Sequence, residues 1–254
     1  MKKKRLIMMV IALAAGIGIG AISYSSLGTD TLAYMSSSDE EENKFTDGKI
    51  KVNVREKVDA QKDLWDSIRD NKNNLKEMHL DNEGSTVHSL VRIAIIPRWV
   101  SKEDESMELP WAGNVDCIQL EFKDKDGNTF LKTQNDKPEE EKWIADGESI
   151  ETSKYFYYNQ VLIPESETED RNATKSLLNS FKLDFSNVQA NLTGSDNNVI
   201  DKYKNYNLII DVKAETVVVN AEAVSAAWGI DMSEKTTDKI GSMLKELCEI
   251  ESDK

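Results

Sequence analysis

The sequence predicts an all-β chain: a β-sandwich of short strands with short helical insertions, a C-terminal amphipathic helix, and a signal-peptide helix in front. Three observations carry this. Several runs rich in Val, Ile, Tyr and Phe alternate with turn residues across residues 49 to 214, the mark of a sandwich. The period changes after Asn220, where apolar residues recur at helical spacing. The start reads Lys2, Lys3, Lys4, Arg5 and then an apolar run from Leu6 to Ile22, the layout of an export signal.

In chain order, Thr31-Leu32-Ala33 offers small residues at −3 and −1, so cleavage is expected between Ala33 and Tyr34. Tyr34-Met35 leads through Ser36-Ser37-Ser38 and an acidic patch to Asn43-Lys44-Phe45-Thr46-Asp47-Gly48. Lys49 to Arg55 alternates strictly, with Ile50, Val52 and Val54 on one face, and predicts the first half-buried strand. Leu64, Trp65 and Ile68 stand at helical spacing, so residues 56 to 74 read as a short helix or ordered insertion. Lys76 to Asp81 reads as a strand ended by the turn Asn82-Glu83-Gly84. Val91 to Trp99 is dense in β-branched residues and marks a core strand. Pro97 should end its pairing or face a sheet edge, because proline has no N–H to give.

Residues 101 to 114 read as a loop, and Val115 to Lys123 as a strand. Asp126-Gly127 signals a hairpin turn before Asn128 to Thr133. Asp124, Asp126 and Asn128 lack the Gly and Glu positions of a calcium loop, so a plain turn is the better reading. Trp143 falls in a short strand, Tyr155 to Ile163 is aromatic and β-prone, and Leu177 to Phe185 reads as a further strand. Asn187 to Lys204 is polar, and Tyr206 to Ala214 alternates again. Asn220 should cap a helical turn from Ala221 to Trp228 that Gly229 closes. Ile240, Met243, Leu244, Leu247 and Cys248 form the apolar stripe of a helix within 233 to 250. The expected organisation is a signal peptide over 1–33, a tether and possible donor segment over 34–48, the sandwich over 49–229, and the C-terminal helix over 230–254.

The 254-residue chain carries a formal charge of −14. Lys2, Lys3, Lys4, Arg5 and Asp30, a net +3, leave with the signal peptide and take the mature 221 residues to −17. Such a field repels nucleic acid and anionic lipid. Contact with membrane is expected only through the uncleaved signal peptide. The ending Glu251-Ser252-Asp253-Lys254 has no sortase motif, so covalent anchoring there is not expected. Cys117 and Cys248 lie far apart in sequence. Export permits a disulfide, but two separately buried thiols are the preferred expectation.

The export junction and four later blocks share an order with one family. Leu32-Ala33-Tyr34 and Asn43-Lys44-Phe45-Thr46-Asp47-Gly48-Lys49-Ile50 resemble the junction of proteins processed by the signal peptidase SipW, the TasA and camelysin superfamily of Gram-positive bacteria. Met35-Ser36-Ser37 departs from the usual Phe-Thr-Asp there. Asn82-Glu83-Gly84-Ser85 to Trp99, Tyr155 to Leu162 with Pro164 to Thr168, Leu208 to Glu215, and Ala227-Trp228-Gly229 resemble its later blocks. The chain is most similar to BsaA-like, pilin-like biofilm surface proteins.

The resemblance implies a secreted jelly-roll sandwich that assembles into matrix or pilus-like fibres. Its partners would be further copies of itself, SipW, and possible minor matrix subunits. In such fibres the mature N-terminus of one subunit completes a sheet of its neighbour, so Tyr34, Met35, Phe45, Ile50, Val52 and Val54 are the candidate assembly residues. The competing reading packs Ile50, Val52 and Val54 within their own subunit. Two alternatives stand: a camelysin-like cell-surface metalloprotease, and a monomeric adhesin or binding module.

The chemistry for a protease is thin. The two histidines, His79 and His88, do not form the His-Glu-x-x-His pattern that sets two ligands on one helix face. No phosphate loop, nucleophile elbow or Cys-x-x-Cys is present. No catalytic residue, metal or cofactor is therefore expected. Trp99, Trp143, Tyr155, Tyr157, Tyr158 and Trp228 could line a groove, but core packing plus one sheet face is preferred. Arg92 and Glu215 fall in matched blocks and could pair within the sandwich.

Overall fold

The computed structural model describes residues 43–45, 48–50, 53–58 and 74–252, apart from 83, 105, 111–113, 124–125, 168–170, 187, 189–198 and 234. Its strands are β1 (Asn43–Phe45), β2 (Gly48–Ile50), β3 (Asn53–Val58), β4 (Asn74–Asp81), β5 (Ser89–Ser101), β6 (Ile118–Glu121), β7 (Leu131–Thr133), β8 (Trp143–Ala145), β9 (Phe156–Tyr158), β10 (Leu178–Leu183) and β11 (Tyr206–Val218). The helices are α1 (Val199–Tyr203), α2 (Ala221–Trp228) and α3 (Lys239–Ser252). The sheet-rich class expected from the sequence is what forms.

β1 and β2 make a small hairpin. The other strands build two sheets, ordered β3-β4-β10-β6 and β11-β5-β9-β8-β7. All described pairs are antiparallel except β7 with β8. β5 and β11 pair without a register break from Ser89↔Val218 to Ser101↔Tyr206. β11 alternates apolar residues over much of its length, whereas β5 is a near-continuous apolar run buried on both faces from Ser89 to Ala94.

Two core clusters lie between the sheets. One holds Met78, Leu80, Val91, Ile93, Trp143 and Tyr158. The other holds Trp99, Cys117, Phe181, Tyr203, Leu208 and Ile210. A third cluster lies on the outer face of the five-stranded sheet, where Leu90, Ile144, Tyr157 and Val217 meet Val224 of α2 and Ile240, Met243 and Leu244 of α3. That sheet is therefore buried on both faces at one end. Asn220 accepts a hydrogen bond from the Ala223 N–H at 2.9 Å, and Gly229 ends α2 at φ +68°, as the sequence predicts.

Three expectations change. The expected single strand at 49 to 55 is divided between two sheets: β2, ending at Ile50, pairs with β1, and β3, from Asn53, pairs with β4. Residues 56 to 58 and 74 belong to strands rather than to an insertion, while the expected helix at Leu64 to Ile68 lies outside the described residues. The polar stretch ending at Lys204 contains α1, anchored by the buried Tyr203. Tyr203 makes edge-on contacts with Trp99 and Phe185, each with ring centroids 4.9 Å apart. Among the described residues no helix is long and apolar enough to cross a membrane.

Candidate assembly edge

Among the described residues β5 has a full partner on only one side. On the other, β9 pairs it at Arg92 and Ile93 alone. Ser89, Trp99 and Ser101 bond away from β11, to Leu162, Leu109 and Met107. Backbone groups alternate sides along an antiparallel strand, so odd-numbered residues of β5 face this flank. Ile95 therefore turns its N–H and C=O outward between Ile93 and Trp99, and Pro97 turns its C=O. Pro97 sits in the ladder opposite Ile210, with its missing N–H on the open side. It does not end the strand; it faces the edge, the one place a central ladder tolerates proline.

β6 closes the same flank of the facing sheet. The Asp184 N–H bonds to the Cys117 carbonyl at 2.8 Å, which puts the odd residues of β6 toward β10. Ile118 and Leu120 then present their backbone to the outer edge, although the Ile118 N–H is taken by Val115. Between the two edges runs a cleft of ≈ 630 Å³. Ile95, Pro97, Ile118, Leu120, Phe122 and Phe156 line it. Phe122 and Phe156 meet at a tilt beneath it, with ring centroids 5.4 Å apart. Its size falls within the range of ligand-binding clefts, and its walls offer apolar side chains beside unused strand edges.

The predicted assembly residues are placed as follows. Ala33, Tyr34, Met35 and Val52 lie outside the described residues. Phe45 is in β1 and Ile50 ends β2. Val54 is in β3 and packs, partly buried, against the core of its own subunit. For Val54 the competing reading, packing within the subunit, holds, because β3 is already paired along its length with β4.

The aromatic group divides between two faces. Trp99, Trp143 and Tyr158 are buried between the sheets. Tyr155, Tyr157 and Trp228 gather on the outer face around Arg92. The guanidinium carbon lies 4.0 Å from the Tyr155 ring centre and 5.0 Å from that of Trp228. Its Nε and Nη2 donate to Glu215 Oε2 at 2.7 and 2.5 Å, and Nη1 donates to the Tyr157 hydroxyl at 3.3 Å. The expected pair is thus formed, beneath α2 rather than between the sheets. Burial alone would raise the Glu215 carboxyl, but hydrogen bonds from Lys213 and Arg92 outweigh it and hold its pKa below the usual value.

The remaining candidates separate. His79 sits 3.3 Å from Asp81 on β4. His88 has Glu167 at 2.6 Å on Nε2 and Glu251 against Nδ1, which ties the end of α3 to the start of β5. Among the described residues no group of three or more His, Cys, Asp or Glu is arranged to hold a metal. Cys117 and Cys248 form no disulfide and lie in different core clusters, on opposite faces of the five-stranded sheet. Burial pushes their thiols up to about 12 and about 11, so both stay protonated and unreactive at neutral pH. The open flank itself was not foreseen. The mismatch between a thirteen-residue β5 and the short aromatic run of β9 is its only sequence signal. Compared with known families, curated proteins and solved structures, the chain matches none.

Proposed function

We propose that this chain is a secreted structural subunit of an extracellular biofilm-matrix or pilus-like fibre. It has a jelly-roll sandwich, is released by a SipW-type peptidase at Ala33-Tyr34, and performs no catalysis. The residues ahead of β3 in one copy add as a strand to the open edge of β5 in the next. The observation that supports this reading is the half-paired β5, with a cleft of mixed apolar and polar lining between it and β6. In strand addition the edge hydrogen bonds supply affinity and alternate side chains entering pockets supply register. Pro97 restricts where an added strand can bond, because only a C=O is available at that position. Cleavage matters to this order of events: the precursor's N-terminus is held in the membrane, and export releases the donor.

Electron microscopy and size-exclusion chromatography test it on three chains: one beginning at Tyr34, one beginning at Lys49, and the Tyr34 chain with Leu120→Lys. The first should form filaments or large polymers and the other two should stay monomeric. Monomers from all three across several salt and pH conditions would sink autonomous assembly. Polymers from the Leu120→Lys chain equal to those of the parent would remove the cleft as the acceptor.

A further inference from the structure

We propose that a second cleft, between α3 and the loops at the end of the five-stranded sheet, captures the newly exposed N-terminus of a neighbouring copy, residues 34 to 42. The inference rests on the fibre reading and adds an anchor to it. The cleft measures ≈ 600 Å³. One stripe of α3 forms its wall, and Val161, Met243 and Leu247 contribute an apolar floor. Ile250 stands 52% exposed at one end. Gln160 lines it while 6% exposed, and its carboxamide makes only a long 3.5 Å contact to Glu140 among the described residues. A buried amide held this loosely has donor and acceptor capacity left for a peptide backbone.

The cleft also has a polarity. At its α3 N-terminal end stand Lys239, which donates to the Asn135 carbonyl, and Lys137. At the other end stands Glu251, beside His88, with Glu246 midway along the helix; Glu140 lines the cleft from the loop after β7. Arg171 is at the cleft as well and is already engaged. From Lys239 to Ile250 the helix rises about 17 Å at ~1.5 Å per residue.

The segment released by cleavage has matching polarity and length. It begins with an α-ammonium group and the apolar Tyr34 and Met35, passes through three serines, and ends in Asp39, Glu40, Glu41 and Glu42. From Tyr34 to Asp39 an extended chain also covers about 17 Å at ~3.3 Å per residue. The ammonium group meets Glu251, Tyr34 and Met35 cover the apolar floor, and the acidic run reaches Lys239 and Lys137. The exit is on the right side. Asn135 follows β7, whose Thr133 is level with Ala145, Phe156 and Ile93 across the ladder, so β8 and β9 lie between it and the open stretch of β5. Residues 43 to 50 then continue toward that edge. An N-terminus still joined to a signal peptide has no ammonium group, so the anchor reads whether cleavage has occurred.

The test is fluorescence anisotropy with a synthetic peptide of residues 34 to 42, labelled at its C-terminus, titrated with the full mature chain. Saturable binding is expected. It should weaken at least tenfold on N-acetylation of the peptide, and likewise with the paired variant Lys137→Glu/Lys239→Glu. Ile250→Glu, at an exposed position, should weaken it without changing the circular dichroism spectrum. Leu120→Lys, in the other cleft, should leave it unchanged. Peptide binding with this pattern but no filaments in the microscope would reject the fibre and retain the capture site. Filaments with no peptide binding, or binding indifferent to acetylation and to the lysine reversals, would overturn the capture site alone.

Discussion

Arg92→Met is the substitution with the largest expected consequence. Arg92 is 7% exposed, and the Glu215 side chain is 15% exposed. Removing the guanidinium deletes two charge-assisted hydrogen bonds and the contact with two aromatic faces. Breaking one partner out of a buried pair costs about 3–5 kcal/mol. Lys213, 3.0 Å from Glu215, remains and limits the loss to the lower half of that range. Glu215→Gln should cost less, about 2 kcal/mol, because Arg92 keeps Tyr157 and the rings. The assay is urea unfolding of a chain beginning at Tyr34, followed by tryptophan fluorescence. At an m-value of about 2 kcal/mol per molar, Arg92→Met should lower the midpoint by roughly 1.5–2 M. The double variant should show coupling of at least ~1 kcal/mol between the two sites. pH gives an independent check. The folded-state pKa of Glu215 is depressed, so its stabilisation is complete above the ordinary carboxylate value and lost as pH falls through the folded value. Glu215→Gln should flatten the stability curve in that acid window and nowhere else. An Arg92→Met cost under ~1 kcal/mol, with no coupling, would refute the reasoning.

Further outcomes follow from the same packing. Cys117 and Cys248 should stay unmodified by iodoacetamide in the folded protein at pH 8, become reactive in urea, and show no disulfide by intact mass. Asn220→Ala should cost about 1 kcal/mol by removing the cap on α2, measured as a fall in Tm. Gly241→Ala should be worse than Gly229→Ala, by the same measurement. A Cβ at 241 would lie 2.6 Å from the Asp231 carbonyl oxygen. At 229 it meets nothing within 4 Å, and only the left-handed backbone, at about 1 kcal/mol, opposes it.

The parts of the fold that the sequence made legible are those governed by local rules. The alternation of Tyr206 to Ala214, the Asn220 cap, the Gly229 stop and the stripe from Ile240 to Cys248 each depend on neighbours within a few residues, and each forms as expected. The Arg92–Glu215 pair was also within reach, because both residues interrupt apolar strands with opposite charge. What was hidden depends on distant partners. Nothing local tells β3 to start at Asn53 and run to Val58; pairing with β4 decides that. Likewise, the open stretch at Ile95 and Pro97 is set by how few residues of β9 reach β5. The helix at Val199 to Tyr203 escaped notice because one buried tyrosine, rather than a repeating stripe, fixes it.

The long ladder between β5 and β11 sets how the fold answers a pull. Its hydrogen bonds run perpendicular to the strands. A pull along the strand axis shears all thirteen opposed pairs at once. The two-pair contact of β9 with β5 has no such reserve, and the side-chain seating of α2 and α3 can peel away residue by residue. Under tension the outer layers would yield first, and the β5–β11 ribbon would be the last part of the subunit to give way.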